Sequence, residues 1–242
     1  MHLNPSGLIG AGLLLVSLFC HGDVKQAAFN DGWPTIPTPE NSSVIVVADN
    51  MIFNGVPMKT WELKALMAPK ELQQFYMTAW SAARKEGDST VPGHLIKKIP
   101  KYTVISRVEE NYLLTVQIED RKTESSRAYL AISKILAGTE KDYILGDGFP
   151  ALTGTVFIND ISAIDGHKKS RTIIATSEAP LQALANFYRN AMKKTGWVEI
   201  TKSLTMTNKG GAMIFQRNKN EMNITLSSNK NIVNIVAVMV DN

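Results

Sequence analysis

Hydrolytic chemistry needs a base beside a nucleophile, and in 242 residues this chain offers four histidines and one cysteine. His2 and His21 lie in the N-terminal leader, so His94 and His167 are the candidate bases. His94 ends the loop Val91-Pro92-Gly93-His94, and His167 follows the turn Asp165-Gly166. No Gly-x-Ser-x-Gly elbow accompanies either. A histidine without an oriented partner is not a triad, so a structural or solvated role is expected for both. Glu109-Glu110 and Glu119-Asp120 are the residue types of a glycosidase's acid and base. Both pairs fall where turns are expected, which makes them solvated. Asp147, in Leu145-Gly146-Asp147-Gly148-Phe149, sits in a loose echo of a phosphate loop that lacks its Lys-Ser/Thr, and a connector is the better reading. Metal sites want clustered ligands, and no HxxxH or CxxC spacing occurs. The expectation is a non-enzyme with no catalytic, cofactor-binding or metal-binding residue and no cofactor.

Surfaces are then the place to look. The formal charge is +4 and the pI near 9.0, spread too thinly for a nucleic-acid footprint, so no nucleic acid is expected. Three short basic clusters recur: Lys97-Lys98 with Lys101, Lys168-Lys169 with Arg171, and Lys193-Lys194. On an exported protein these could meet anionic lipid, lipopolysaccharide or an acidic partner. Trp61 and Trp197 read as core or edge aromatics. Trp80 lies at the margin of an apolar helical face, where an exposed indole would suit a contact surface.

The leader argues for export. Gly7 to Phe19 is an apolar run, shorter than the ~20 residues a membrane span needs and within the ~7–15 typical of a signal peptide's apolar region. Cys20-His21-Gly22 places small residues at the −3 and −1 positions of a cleavage before Asp23, giving a signal peptide over 1–22. Cleavage removes Cys20, the sole cysteine, and leaves a chain without disulfides or a catalytic thiol. Acylation of Cys20 is the alternative, disfavoured by the bulky Leu18-Phe19 before it.

The elements that must position any site come in two copies. Ala68-Pro69 followed by Phe75-Tyr76 is echoed by Ala179-Pro180 followed by Phe187-Tyr188, each opening an amphipathic helix. Leu181, Leu184, Tyr188 and Ala191 recur at the spacing of one helical face. Ser177 is the expected N-cap of the second helix. Arg84-Lys85-Glu86-Gly87 and Lys193-Lys194-Thr195-Gly196 are matched stop signals. The turns Asn54-Gly55 and Asp165-Gly166, and the strands ending at Arg107 and Arg217, recur at nearly the same offset.

The predicted organisation is a Pro-rich linker over 23–43, a first repeat over 44–135, a Gly-rich connector over 136–154 and a second repeat over 155–242. The predicted fold class is α+β: two tandem repeats, each a single helix packed on a curved antiparallel sheet. In layout alone, such a tandem behind an export signal resembles accessory subunits of outer-membrane assembly and secretion machines. Duplication, the export signal and the lack of a reactive constellation lead to the expectation of a non-catalytic extracytoplasmic adaptor or assembly factor, periplasmic or secreted, that binds another envelope protein. The alternatives are a hydrolase with a site between the repeats and a lipid- or polysaccharide-binding module. Function is expected where the copies differ: the connector at Asp147, the loop at His94 and the surface around Trp80. Nothing in the sequence sets the oligomeric state.

Overall fold

The computed structural model describes residues 32–82, 93–121, 123–136, 143–200 and 207–241. The leader with Cys20, the first part of the linker and the stop signal at Arg84 lie outside the described residues.

The chain forms β1 (Ser42–Phe53), β2 (Val56–Ala65), α1 (Pro69–Ala82), β3 (Leu95–Ile99), β4 (Tyr102–Glu109), β5 (Tyr112–Glu119) and β6 (Ser126–Lys134). After residues 143–155 come β7 (Val156–Asp165), β8 (Lys168–Ser177), α2 (Leu181–Lys194), β9 (Val198–Glu199), β10 (Gly210–Arg217), β11 (Asn220–Asn229) and β12 (Ile232–Asp241). All twelve strands belong to one antiparallel sheet in the order β3-β4-β5-β6-β2-β1-β7-β8-β12-β11-β10-β9. Read outward from the central β1/β7 seam, each half has the same order.

This overturns the expected α+β class. Strands hold 55% of the described residues and helices 15%, in only two helices, so the protein is mostly β and built on one continuous sheet. The physical reason lies in strand length and edges. β1 and β7 are long strands that run up to the turns, to Phe53 and Asp165. Their ends then satisfy one another across the seam, through Met51↔Ala163, Ile52↔Ser162 and Phe53↔Ile161. β3 and β9 are further strands at the two outer edges.

Local chemistry explains the tips that meet there. Asn54 and Gly55 both take positive φ, 50° and 84°, which is what a two-residue turn matched to strand twist requires. The second tip sits one residue later than expected. Asp165 still pairs with Lys168, and Gly166-His167 makes the turn. β1 carries two register shifts, between Val46 and Ala48 and between Ala48 and Met51, and such bulges bend a strand and deepen its twist.

The helices lie on the same face of the sheet's two halves. Leu72, Tyr76 and Trp80 of α1 close over Trp61, Leu63, Ile105, Leu114, Val116 and Leu130. Leu184, Ala185, Tyr188 and Met192 of α2 close over Ile173, Met213, Phe215, Ile224 and Ile235. Glu71 accepts from the Ala68 N–H at 2.9 Å, satisfying one orphan donor of α1. At α2 the expected cap is displaced: Pro180 holds the N-cap position and makes no side-chain cap bond, while Ser177 Oγ accepts from the Ala179 N–H. The helix ends are handled alike, with Arg107 donating to the Trp80 carbonyl and Arg217 to the Thr195 carbonyl, each at 3.1 Å.

The segments preceding each half are also part of the core. Ile36 is buried under α1's side of the sheet, and Phe149 is buried beside Tyr188 with ring centroids 5.7 Å apart. Residues 32–41 and 143–154 thus lie on the sheet next to their helix.

Candidate protein-interaction site

The densest polar constellation is at the seam. Asp160 of β7 is fully buried, and its carboxylate accepts three donors. Arg171 Nε reaches Oδ1 at 2.9 Å, Arg171 Nη2 reaches Oδ2 at 2.6 Å, and the Gly146 N–H reaches Oδ2 at 3.0 Å. Burial pushes this carboxyl up, but the Arg171 guanidinium and the other donors outweigh that and hold it below the usual carboxylate range. Asp160 and Arg171 sit diagonally across β7 and β8 on the helix side, where the pleat brings such pairs within reach. Arg171 also donates to the Asp147 carbonyl at 2.9 Å. From the other half, the Asn54 N–H donates to the Asp160 carbonyl and Asn54 Oδ1 accepts the Asp160 N–H. A Cβ on Gly55 would fall 2.6 Å from Tyr143, so the turn needs glycine for space as well as for φ. This constellation joins one half's turn, the connector and the other half's hairpin. Its groups are satisfied by one another, and it works as a clasp between these elements.

A second network lies on the sheet face away from the helices. Arg127 donates to both oxygens of Glu62, at 3.0 and 3.2 Å, and lies 3.6 Å from Glu119, which Arg121 also pairs. Partial burial raises the Glu62 carboxyl, but Arg127 and Lys64 together draw it below the ordinary value. Glu119 is therefore buried and ion-paired, not at a solvated turn tip as the sequence suggested. Its neighbour Asp120 accepts the Thr103 hydroxyl, while Glu109 pairs with Arg107 beside the β4–β5 turn.

The candidate bases stay apart. His94 directly precedes β3 at one outer edge of the sheet, and His167 is exposed in the turn at the seam. Asp147 lies in the clasp, where its carbonyl accepts from Arg171. Trp80 is 3% exposed and packs on Tyr76, so the expected contact surface around it is instead core. Among the described residues no group of three His, Cys, Asp or Glu could hold a metal ion, and no helix is long and apolar enough to cross a membrane.

The open feature is the edge strand β3, Leu95-Ile96-Lys97-Lys98-Ile99. Among the described residues it pairs only with β4, from Leu95↔Ser106 to Ile99↔Tyr102. Its first four residues are exposed, which puts Leu95 (49%) and Lys97 on one face and Ile96 (36%) and Lys98 on the other. An edge strand leaves a row of N–H and C=O groups without a ladder partner, so this stretch can template an added strand. The sequence had shown Lys97-Lys98 only as a basic cluster. Leu95 and Ile96, and the buried pair Asp160–Arg171, were missed. Asp160 standing inside an apolar run was the available signal, since a carboxylate there needs a partner.

A family model described as START domain-like matches residues 158–232, from β7 to the start of β12, under a third of the chain. No curated protein and no solved structure matches it.

Proposed function

We propose that the protein is an exported, non-catalytic adaptor or assembly factor of the cell envelope that binds another protein by its sheet edge. The observation that carries this is β3, a five-residue edge strand with apolar and cationic side chains exposed on both faces. Strand addition uses main-chain bonds for affinity and alternate side chains for choice of partner. The non-catalytic part is supported by the state of the polar groups. Glu62, Glu119 and Asp160 are each tied to an arginine, and the two histidines lie at different places along the sheet. A lipid-binding module would want space between helix and sheet. That layer is filled by Leu72, Tyr76 and Trp80 in one half and by Leu184, Tyr188 and Met192 in the other. Export rests on the apolar run and small residues before Asp23.

Affinity isolation from envelope extract should recover a reproducible partner with the wild-type chain and lose it with Ile96→Pro, which removes a ladder donor from the edge. A lone chain with no reproducible partner would sink the adaptor reading. Mass spectrometry of the mature N-terminus tests export, and a product beginning at Met1 would rule it out.

A further inference from the structure

We infer that the β3 edge takes an extended, carboxylate-bearing segment of its partner as an added strand, and that Lys97 and Lys98 select it. The inference rests on the adaptor reading above and adds the partner's chemistry.

Five residues of strand span ~17 Å and can pair a segment of similar length. Ile96 stands opposite Ile105, a fully buried residue of the first core. An apolar residue set against Ile96 would therefore extend that core by one strand. Lys97 and Lys98 point to opposite faces, so carboxylates at adjacent positions of the incoming strand would each meet an ammonium. Lys101, in the β3–β4 turn, adds a third cation beside them. No ion pair with a described residue occupies Lys97 or Lys98. The acid on the Lys98 side, Asp120, is held by the Thr103 hydroxyl.

The same two lysines exclude the commonest competitor, a second copy of this chain. Antiparallel self-pairing of Leu95–Ile99 would set Lys97 against Lys97 on one face and Lys98 against Ile96 on the other, and like charges directly opposite destabilise a ladder. Edge lysines are a usual device against indiscriminate pairing. Here they also make the edge discriminating, because they repel one class of strand and attract another. The equivalent position in the second half lacks the device. β9 has two residues, and its Glu199 is already held by Arg189 at 3.0 Å. Among the described residues the inferred site is thus single.

The test uses the full chain and a labelled short peptide with two adjacent glutamates flanked by valines, read by fluorescence anisotropy. Controls are the same peptide N-methylated at alternate backbone nitrogens and one with lysine in place of glutamate. The glutamate peptide should bind and shift amide resonances of β3 and β4. N-methylation should weaken it about tenfold or more, since it blocks ladder bonds. Lys97→Glu/Lys98→Glu should weaken it about as much and admit the lysine peptide. Both lysines are exposed, so the variant's thermal midpoint reports whether it folds as wild type does. Equal binding of the glutamate and lysine peptides, indifference to N-methylation, or shifts mapping away from β3 would each overturn the inference. A partner recovered alike by wild type and by the double variant would also overturn it while leaving the adaptor reading standing. Recovery of no partner counts against the adaptor reading itself.

Discussion

Arg171 and Lys59 occupy the same place in the two halves and are held in different ways. Each stands two residues before an inward-facing core residue, Ile173 or Trp61, on the strand next to the seam strand. Arg171 meets the buried carboxylate of Asp160. At the corresponding place in the first half, opposite Trp61, β1 carries Val46. Lys59 lies instead over the Trp33 ring at 5.3 Å, and Lys134 lies over the same ring at 5.7 Å. One scaffold therefore sets different groups against the cation at this place, a buried carboxylate in one half and an aromatic face in the other. The choice has structural reach. A ring holds its cations locally, whereas the Asp160 carboxylate has room for further donors and so gathers the connector and its own β8 in one place. The main chain of Asp160 then holds the other half's Asn54.

The comparison breaks most readily at Asp160. Asp160→Ala should destabilise by about 3–5 kcal/mol in urea unfolding, because Arg171 and the Gly146 N–H lose a buried partner. A loss under about 1 kcal/mol would mean that the clasp adds nothing beyond its neighbours' packing. The same pair predicts an acid limb. The native carboxyl lies below its unfolded value near 3.9, so its contribution is present in full above that pH and disappears as pH falls through the lower native value. The stability gap between wild type and Asp160→Asn should accordingly close on acidification. A gap that widens would reverse the assignment.

Trp33→Ala should cost less, about 2 kcal/mol, since it removes partly buried ring area and two cation–π contacts. Hydrogen exchange should place the damage in the first half and spare the clasp. Arg107→Ala and Arg217→Ala test a feature the halves share. Each should cost about 1.5 kcal/mol through its lost helix-end bond, with the two values close to each other. The smallest effect is expected at the helices' twin phenols. Tyr76 and Tyr188 are fully buried, and neither hydroxyl has a partner among the described residues. Burial pushes both phenols up, Tyr188 to about 12. Tyr76→Phe and Tyr188→Phe should each be neutral or stabilising by up to about 1 kcal/mol in thermal unfolding. Opposite signs in the two halves would mark one hydroxyl as engaged.

Much of the strand and helix order was legible because it is written in local periodicity. The Phe-Tyr helices, the Asn54-Gly55 turn and the strands reaching Arg107 and Arg217 stand where spacing placed them. What periodicity cannot encode is which edges meet. The β1/β7 seam joins residues over a hundred positions apart through backbone groups that every residue carries, so two expected units became one mostly-β sheet. The true start of each half was legible and passed over. Asp31-Gly32-Trp33-Pro34 echoes Asp147-Gly148-Phe149-Pro150, yet the two stretches read separately as a linker and a connector. β3 escaped for a compositional reason, since its lysines break the apolar alternation that betrays a strand. At the candidate site the same lysines were visible as charge but not as part of an edge.

The seam has a mechanical consequence. Neighbouring strands elsewhere in the sheet's interior are joined along most of their length, as β7 is to β8, while β1 and β7 pair from Met51 to Phe53 and are joined beyond that by the bonds of Asn54 to Asp160. Tension applied across the sheet, between a partner held at β3 and the opposite margin, would concentrate at this short zipper. The covalent connector keeps the halves tethered if it opens, so the seam would act as a resettable fuse. Single-molecule pulling between the outer strands would register it as a small, reversible extension before either core yields.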